Sequence, residues 1–236
     1  MHAAYFVVGT DTDVGKTYIA SALVRHFAQQ GNSVVGMKPV AAGAELVDGR
    51  LLNSDVAALM QASNVDAPVA LINPYVFAPA MAPHIAAEQA GVTVSLEKIQ
   101  QAFDCLQAQA DVVVVEGAGG FRVPINREQT MADLAIQLNL PVIMVVGIRL
   151  GCINHALLTY EALTSRKLIV AGWVANCLAS EMPFLQENIK TLQSKIQAPL
   201  LGSIPPLPKH LQKPNHSPYS IEALQFAAQH LSLPKP

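Results

Sequence analysis

The chain has 236 residues, 51% of them hydrophobic, and a formal net charge of −2 from 15 basic and 17 acidic residues. That length and apolar content suit a single domain over residues 1–236 with one sizeable core, and the near-neutral charge excludes the basic footprint of a nucleic-acid-binding surface. The cysteines Cys105, Cys152 and Cys177 are odd in number and form no CxxC pair, which argues against a disulfide framework or a zinc site and for a reducing compartment.

No basic stretch precedes the first apolar run, so a secretory signal is not expected. The longest apolar runs, such as residues 140–148, are too short to span a bilayer. The expectation is a cytoplasmic protein without membrane partners.

In chain order, the first apolar burst covers residues 5–9 and reads as a buried strand. It runs into Gly9-Thr10-Asp11-Thr12-Asp13-Val14-Gly15-Lys16-Thr17, followed by a helix predicted over 17–30 and closed by Gly31. Strand, glycine-containing loop, Gly-Lys-Thr and helix form the context of a phosphate-binding loop. Backbone N–H groups at a helix start attract phosphate oxygens, the Lys16 ammonium suits β- and γ-phosphates, and the Thr17 hydroxyl suits Mg²⁺. The match is imperfect, because the first glycine of that pattern belongs at position 10, where Thr10 stands. The loop must make its first turn without it. Asp11 and Asp13 lie inside the loop, where acids disfavour phosphate unless cations offset them. Asp13 either meets a cationic substrate group or holds the loop's shape.

A second strand is expected over 34–37 and delivers Lys38 to its C-terminal edge. An ammonium there suits transferring phosphoryl oxygens or a carbamate, although a solvated lysine before Pro39 fits the spacing equally. Asn53-Ser54-Asp55 precedes a short helix over 56–61. By position Asp55 belongs to that helix's cap, with metal binding as the alternative. Residues 67–91 carry Pro68, Pro74, Pro79 and Pro83 and read as a loop-rich excursion. Ser95 is a suitable N-cap for a helix over 96–109.

The run at 112–115 is a third strand and places Glu116 at its C-terminal end, the edge where open α/β sheets bind ligands. Glu116 is the leading metal carboxylate. Gly117, Ala118, Gly119 and Gly120 follow it and leave room for a ligand. Beyond lie a helix over 132–138, a strand over 142–146, a helix over 156–165 and a strand over 168–174 with Trp173 in the core. A Pro-rich surface segment over 205–218 precedes a last helix over 221–231. Short, non-alternating Val- and Ile-rich strands between helices imply a doubly wound α/β fold, with a mostly parallel sheet and helices on both faces, of the P-loop NTPase kind.

Several separated segments resemble one family. They are residues 9–17, Lys38-Pro39-Val40-Ala41, Asn53-Ser54-Asp55, Asn73-Pro74-Tyr75, Pro83-His84, Val115-Glu116-Gly117-Ala118-Gly119-Gly120, Gly151-Cys152-Ile153-Asn154-His155 and Ala171-Gly172-Trp173-Val174-Ala175-Asn176. In this order and spacing they are similar to dethiobiotin synthetases, over about residues 5–207. The resemblance implies closure of a cyclic urea from 7,8-diaminopelargonate, CO₂ and ATP with Mg²⁺, in a homodimer.

It further implies that Lys16 and Lys38 serve catalysis and that Thr17, Asp55 and Glu116 surround the metal. ATP would contact Asp13, Val14, Gly15, Lys16, Thr17, Tyr18, Asp55, Glu116, Gly117, Ala118 and Gly119. Asn176 and Cys177 would lie at the adenine edge, with Pro205, Pro206 and Leu207 beside the base. The diamino acid would meet Thr12, Lys38 and Ala42. Its carboxylate would meet Gly151, Cys152, Ile153 and Asn154 from across the dimer interface. Two positions depart from the family pattern: Ala42 replaces a frequent hydroxyl residue, and Arg149 a frequent lysine.

Other classes compete with this reading. Partitioning ATPases carry an extra lysine early in the loop, which positions 10–14 lack, and the Asn-Lys-x-Asp signature of switch GTPases is absent. Corrin amidoligases usually add a glutaminase domain, for which this chain has no room. His155 has no second histidine at ligand spacing and Cys152 has no base partner, so structural roles are expected for both.

Overall fold

The structure is a computed structural model that describes residues 3–47, 49–178, 182–214 and 217–233. It opens with β1 (Ala3–Gly9), α1 (Lys16–Gln29) and β2 (Val34–Met37). Then come the short strands β3 (Val40–Ala42), β4 (Glu45–Val47) and β5 (Arg50–Leu52), followed by α2 (Ser54–Ala62) and α3 (Val69–Ile72). After β6 (Tyr75–Phe77) come α4 (Pro83–Gln89), α5 (Leu96–Gln107), β7 (Val112–Gly120), α6 (Met131–Leu138) and β8 (Val142–Ile148). The chain continues through α7 (Cys152–Thr164), β9 (Val170–Cys177), α8 (Leu185–Lys195), β10 (Leu200–Ile204) and α9 (Ile221–Ala228).

Six strands form one parallel sheet in the order β10-β9-β8-β1-β7-β2. Alternate residues of each strand face opposite cores. On β1, Tyr5 and Val7 pack with Ile19, Leu23 and Phe27 of α1 and Leu224 of α9. Phe6 and Val8 face the other way, toward the core that holds α5, α6, α7 and α8. Both faces are covered, so every residue of β8 is buried, and the strands read as continuous apolar runs. Trp173 is fully buried, as its strand position suggests. The connection after β1 leads toward β2, whereas those after β7 and β8 lead the opposite way. This reversal opens a crevice at the carboxyl ends of the central strands.

Local signals explain most element starts. Ser95 caps α5 by accepting the Lys98 N–H at 3.2 Å. Asn53, not Asp55, caps α2, because its side chain accepts the Asp55 N–H at 2.9 Å. The capping alternative for Asp55 is thereby overturned, and its carboxylate is free to face the crevice.

Other expectations shift. Residues 67–91 contain α3, β6 and α4, with Pro83 in the first turn of α4, where a missing N–H costs nothing. β6 pairs in parallel with β3, an element hidden by its brevity. Helix α7 starts at Cys152, four residues before the expected 156, because Gly151 at φ 91° turns the chain directly into it. The last helix ends at Ala228 rather than 231. Residues 215 and 216 of the Pro-rich segment lie outside the described residues.

Candidate active site

The loop after β1 wraps around the Lys16 ammonium. Its two left-handed residues are Asp13 at φ 57° and Gly15 at φ 85°. The turn made without a glycine at position 10 therefore falls to Asp13, a residue type that tolerates this conformation better than most. Gly9 has a different task. A Cβ there would lie 2.8 Å from Lys16 Nζ and 2.9 Å from the Asp11 carbonyl oxygen, so the displaced glycine admits the lysine. Lys16 Nζ donates to that carbonyl at 2.8 Å. Burial, and next the nearby Lys38, lower the Lys16 pKa to about 8.

The parallel register sets the second part of the site. Met37 pairs with Val115 and Val7 with Glu116, so Lys38, one residue beyond β2, arrives beside Glu116. Asn73 fixes the turn by donating to the Lys38 carbonyl at 2.6 Å. Strand β7 continues through Gly120, so Glu116 lies within it and is fully buried rather than at a solvent-facing end.

Four side chains meet there. Lys38 Nζ donates to Glu116 Oε1 at 2.5 Å and to the Gly117 carbonyl at 3.2 Å, and lies 3.1 Å from Asp55 Oδ2. The Thr17 hydroxyl donates to the same Glu116 Oε1 at 2.7 Å. Glu116 Oε2 is buried with no partner among the described residues. Burial opposes a charge on Lys38, but Glu116 and Asp55 outweigh it and raise its pKa. Complete burial pushes Glu116 up against the pull of Lys38. Asp55 is partly exposed, and although desolvation opposes its charge, Lys38 and the Thr17 hydroxyl hold its pKa low.

Two cavities adjoin along this cluster. The first, about 500 Å³, is lined by Gly15, Lys16, Thr17, Tyr18, Glu116, Asn176, Cys177, Pro205 and Leu207. The second, about 620 Å³, has walls from Ala42, Met81, Pro83, Ala118 and Val123. Thr12, Asp13, Lys38, Asp55 and Gly119 line both.

Asn176 sits 5% exposed at the end of β9 and donates to the Val14 carbonyl at 2.9 Å. A Cβ on Gly15 would come within 2.2 Å of the Asn176 amide nitrogen, so the loop and this side chain are mutually fitted. The Tyr18 hydroxyl donates to the Ala223 carbonyl at 3.0 Å, leaving its ring toward the first cavity.

Not every sequence-predicted residue lines a cavity. Val14 is buried beneath the loop and contributes its carbonyl, and Gly117 contributes the carbonyl that Lys38 reaches. Pro206 is absent from both linings, whereas its neighbours Pro205 and Leu207 face the first cavity. Gly151, Cys152, Ile153 and Asn154 form the start of α7, outside both cavities, where no side chain caps the helix. Cys152 is 3% exposed and packs in the core. Asp11, a liability beside phosphate, is offset by Arg149 at 2.5 Å and faces His155 at 3.7 Å. Sequence reading missed Ser54, Leu178, Lys213 and Tyr219 in the first cavity. Only the Pro-rich segment's position between a strand and a helix hinted at the last two.

Comparison with known proteins agrees with this architecture. A family described as an AAA domain matches residues 3–214. Solved structures of the cell-division protein MinD share the fold at low identity. The Mg-ADP complex from Pyrococcus horikoshii has a TM-score of 0.53 at 15% identity, covering 87% of this chain and 82% of that one. The MinC:MinD complex from Aquifex aeolicus gives 0.54 at 13%, covering 96% and 86%. Sequence relatives are much nearer. The ATP-dependent dethiobiotin synthetase BioD of Aromatoleum aromaticum is 52% identical over 202 residues, 86% of this chain and 90% of that protein. Its namesakes in Nitrosospira multiformis and Janthinobacterium sp. are 50% and 48% identical, each over 86–87% of this chain and 87–89% of theirs. With a phosphate loop and its carboxylates in one crevice and such identity over nearly the whole chain, this protein belongs to the family of ATP-dependent dethiobiotin synthetases.

Proposed function

We propose that this chain, an ATP-dependent ligase by family, forms dethiobiotin from 7,8-diaminopelargonate and CO₂ across its two adjoining cavities. The observation that carries the reading is the position of Lys38, on the wall common to both. The first cavity takes ATP, with phosphates on the 13–18 loop, Asn176 and Cys177 at the adenine edge, and Pro205, Pro206 and Leu207 beside the base. The second, walled by Ala42, Met81, Pro83 and Val123, suits a molecule with an alkyl chain.

The chemistry accounts for the residue types. An alkylamine has a pKa of about 10.4, so on the order of one molecule in a thousand is the neutral nucleophile at neutral pH. The acid Asp13 holds the diamine as its ammonium; one amine gives its proton to solvent, its lone pair attacks the carbon of CO₂, and the N–H proton released on addition also passes to solvent. The resulting carbamate is an anion beside Lys38. Its oxygen then attacks the terminal phosphate of ATP to give a mixed anhydride, with ADP leaving. The second amine closes the ring and releases phosphate. Lys16 and Lys38 stabilise the charge on the transferring oxygens, and positioning supplies the rest.

Mg²⁺ fits Thr17, Asp55 and Glu116. Glu116 Oε2 is an orphaned buried acceptor, and a divalent cation would offset the burial that pushes this carboxyl up. When bound, the ion supplies charge neutralisation and orientation of the phosphates. Lys38 is a cation between the same two carboxylates.

The chain reads as a homodimer in which Gly151, Cys152, Ile153 and Asn154 of one copy receive the substrate carboxylate bound to the other. The support is a helix start, favourable to an anion, lying outside both cavities of its own chain. We read residues 1–236 as one domain, since both cores share one sheet. We place the protein in the cytoplasm; its three cysteines are free, and no described helix is long and apolar enough to cross a membrane.

The test incubates the full chain with ATP, Mg²⁺, bicarbonate and 7,8-diaminopelargonate and assays dethiobiotin. Product from the wild type and none from Lys16→Ala supports the reading. Identical results from both, or ATP hydrolysis indifferent to the diamino acid as in a switch ATPase, refute it.

A further inference from the structure

Besides Pro205 and Leu207, the segment between β10 and α9 puts Lys213 and Tyr219 on the wall of the first cavity. Neither belongs to the phosphate loop or to the carboxylate cluster. The Tyr219 ring packs on Tyr18, with centroids 4.7 Å apart, and so rests on the first turn of α1, next to the metal-facing Thr17. The Lys213 ammonium lies 4.9 Å from the Tyr219 ring centroid and donates to the Ser217 carbonyl at 2.6 Å. Ser220 caps α9 by accepting the Ala223 N–H at 3.2 Å, and the Tyr18 hydroxyl holds the Ala223 carbonyl. Tyr219 and the start of α9 are thus fastened to α1.

The charges in the cavity give this lysine a purpose. Three acids line it, Asp13, Asp55 and Glu116, against a polyphosphate that is itself anionic. Lys38 is committed to Glu116 and Asp55. In the proposed site Lys38 and Mg²⁺ act at the transferring end of the phosphate chain, so the phosphates nearer the nucleoside have fewer cations. Lys213 makes no ion pair among the described residues, so its charge is uncompensated. Its hydrogen-bond acceptor among the described residues, the Ser217 carbonyl, can be exchanged for a phosphate oxygen without leaving a buried charge behind.

The position also fixes which part of the nucleotide it meets. The terminal phosphate must lie where the two cavities join, at Lys38, Asp55 and Gly119. Lys213 and Tyr219 line only the first cavity, together with Pro205 and Leu207. We propose that Lys213 is a nucleotide-binding residue that contacts the phosphate nearest the nucleoside, with Tyr219 as the positioning residue beneath its ammonium. This rests on the first cavity being the nucleotide site. It adds to that reading a cation contributed from the far C-terminal side of the chain, independent of the phosphate-loop motif.

Calorimetric titration of the full chain with Mg-ADP, a non-hydrolysable Mg-ATP analogue and adenosine tests it. Lys213→Met should weaken the diphosphate and the triphosphate equally, by about ten-fold, the scale of one hydrogen bond to a charged group. Adenosine binding and the melting temperature of the nucleotide-free protein should not move. Lys213→Arg should restore most of the affinity, and Tyr219→Phe should bind like wild type whereas Tyr219→Leu does not. Unchanged affinity in Lys213→Met overturns the proposal, as does a loss confined to the triphosphate or shared by adenosine. A fall in nucleotide-free melting temperature that accounts for the loss also overturns it. A wild type that binds neither nucleotide removes the underlying site reading instead.

Discussion

Lys38 Nζ and Glu116 Oε1 lie 2.5 Å apart, with Glu116 completely buried and Lys38 4% exposed. A buried pair of this kind contributes modestly as a pair, but losing one member leaves an uncompensated charge, at a cost of about 3–5 kcal/mol. Lys38→Ala should therefore lower the melting temperature of the nucleotide-free protein. Mg²⁺ with nucleotide should recover most of that loss by supplying the missing positive charge. Product formation should remain abolished while nucleotide still binds. Thermal melts with and without Mg-ADP, alongside calorimetry and the product assay, check the three outcomes. Equal loss of nucleotide binding and product would contradict the role given to Lys38.

Lys16 titrates near 8 in the nucleotide-free protein because it is buried, against an ordinary value of 10.5. The unfolded chain thus binds more protons between about 8 and 10.5, so this residue makes stability rise with pH across that window. A bound phosphate favours the charged ammonium and reverses the shift. Nucleotide binding at pH 9 should take up a proton, and affinity should fall as pH rises through about 8. Titrations in buffers of different ionisation enthalpy measure the uptake directly. Lys16→Met should abolish it.

Gly15 carries two constraints at once, a left-handed φ of 85° and 2.2 Å from a hypothetical Cβ to the Asn176 amide. Gly31 has φ 88° but nothing within 4 Å of that position. Gly31→Ala should cost only the backbone strain, about 1–2 kcal/mol. Gly15→Ala should cost more and should also displace Asn176, reducing nucleotide affinity at least ten-fold. Comparing melts and affinities of the two variants separates strain from misplacement of the Asn176 amide.

Ala42 lines the second cavity. Ala42→Ser should lower KM for 7,8-diaminopelargonate by about five-fold, the effect of one added hydrogen bond of about 1 kcal/mol. KM for ATP should stay constant. A change in ATP KM alone would move this residue out of the substrate cavity.

The parallel sheet, the loop after its first strand and the candidate charged residues were legible in the sequence, because each is a local signal. Val- and Ile-rich bursts bury both faces, and Gly-Lys-Thr opens a helix. The sequence left Asp55 ambiguous, since a short acidic residue before a helix can cap it or face away. Asn53 took the cap and resolved the choice. It also left Glu116 at an apparent strand end, because a glycine tract looks like a turn until a neighbouring strand pairs with it. Only the tertiary structure decided that Lys38, Thr17 and Glu116 meet. The separation of 78 positions between Lys38 and Glu116, and of 99 between Thr17 and Glu116, is closed by strand register, which no local pattern encodes. Lys213 and Tyr219 were invisible for the same reason. Their place on the wall of the first cavity depends on a tertiary contact, the packing of Tyr219 on Tyr18 of α1.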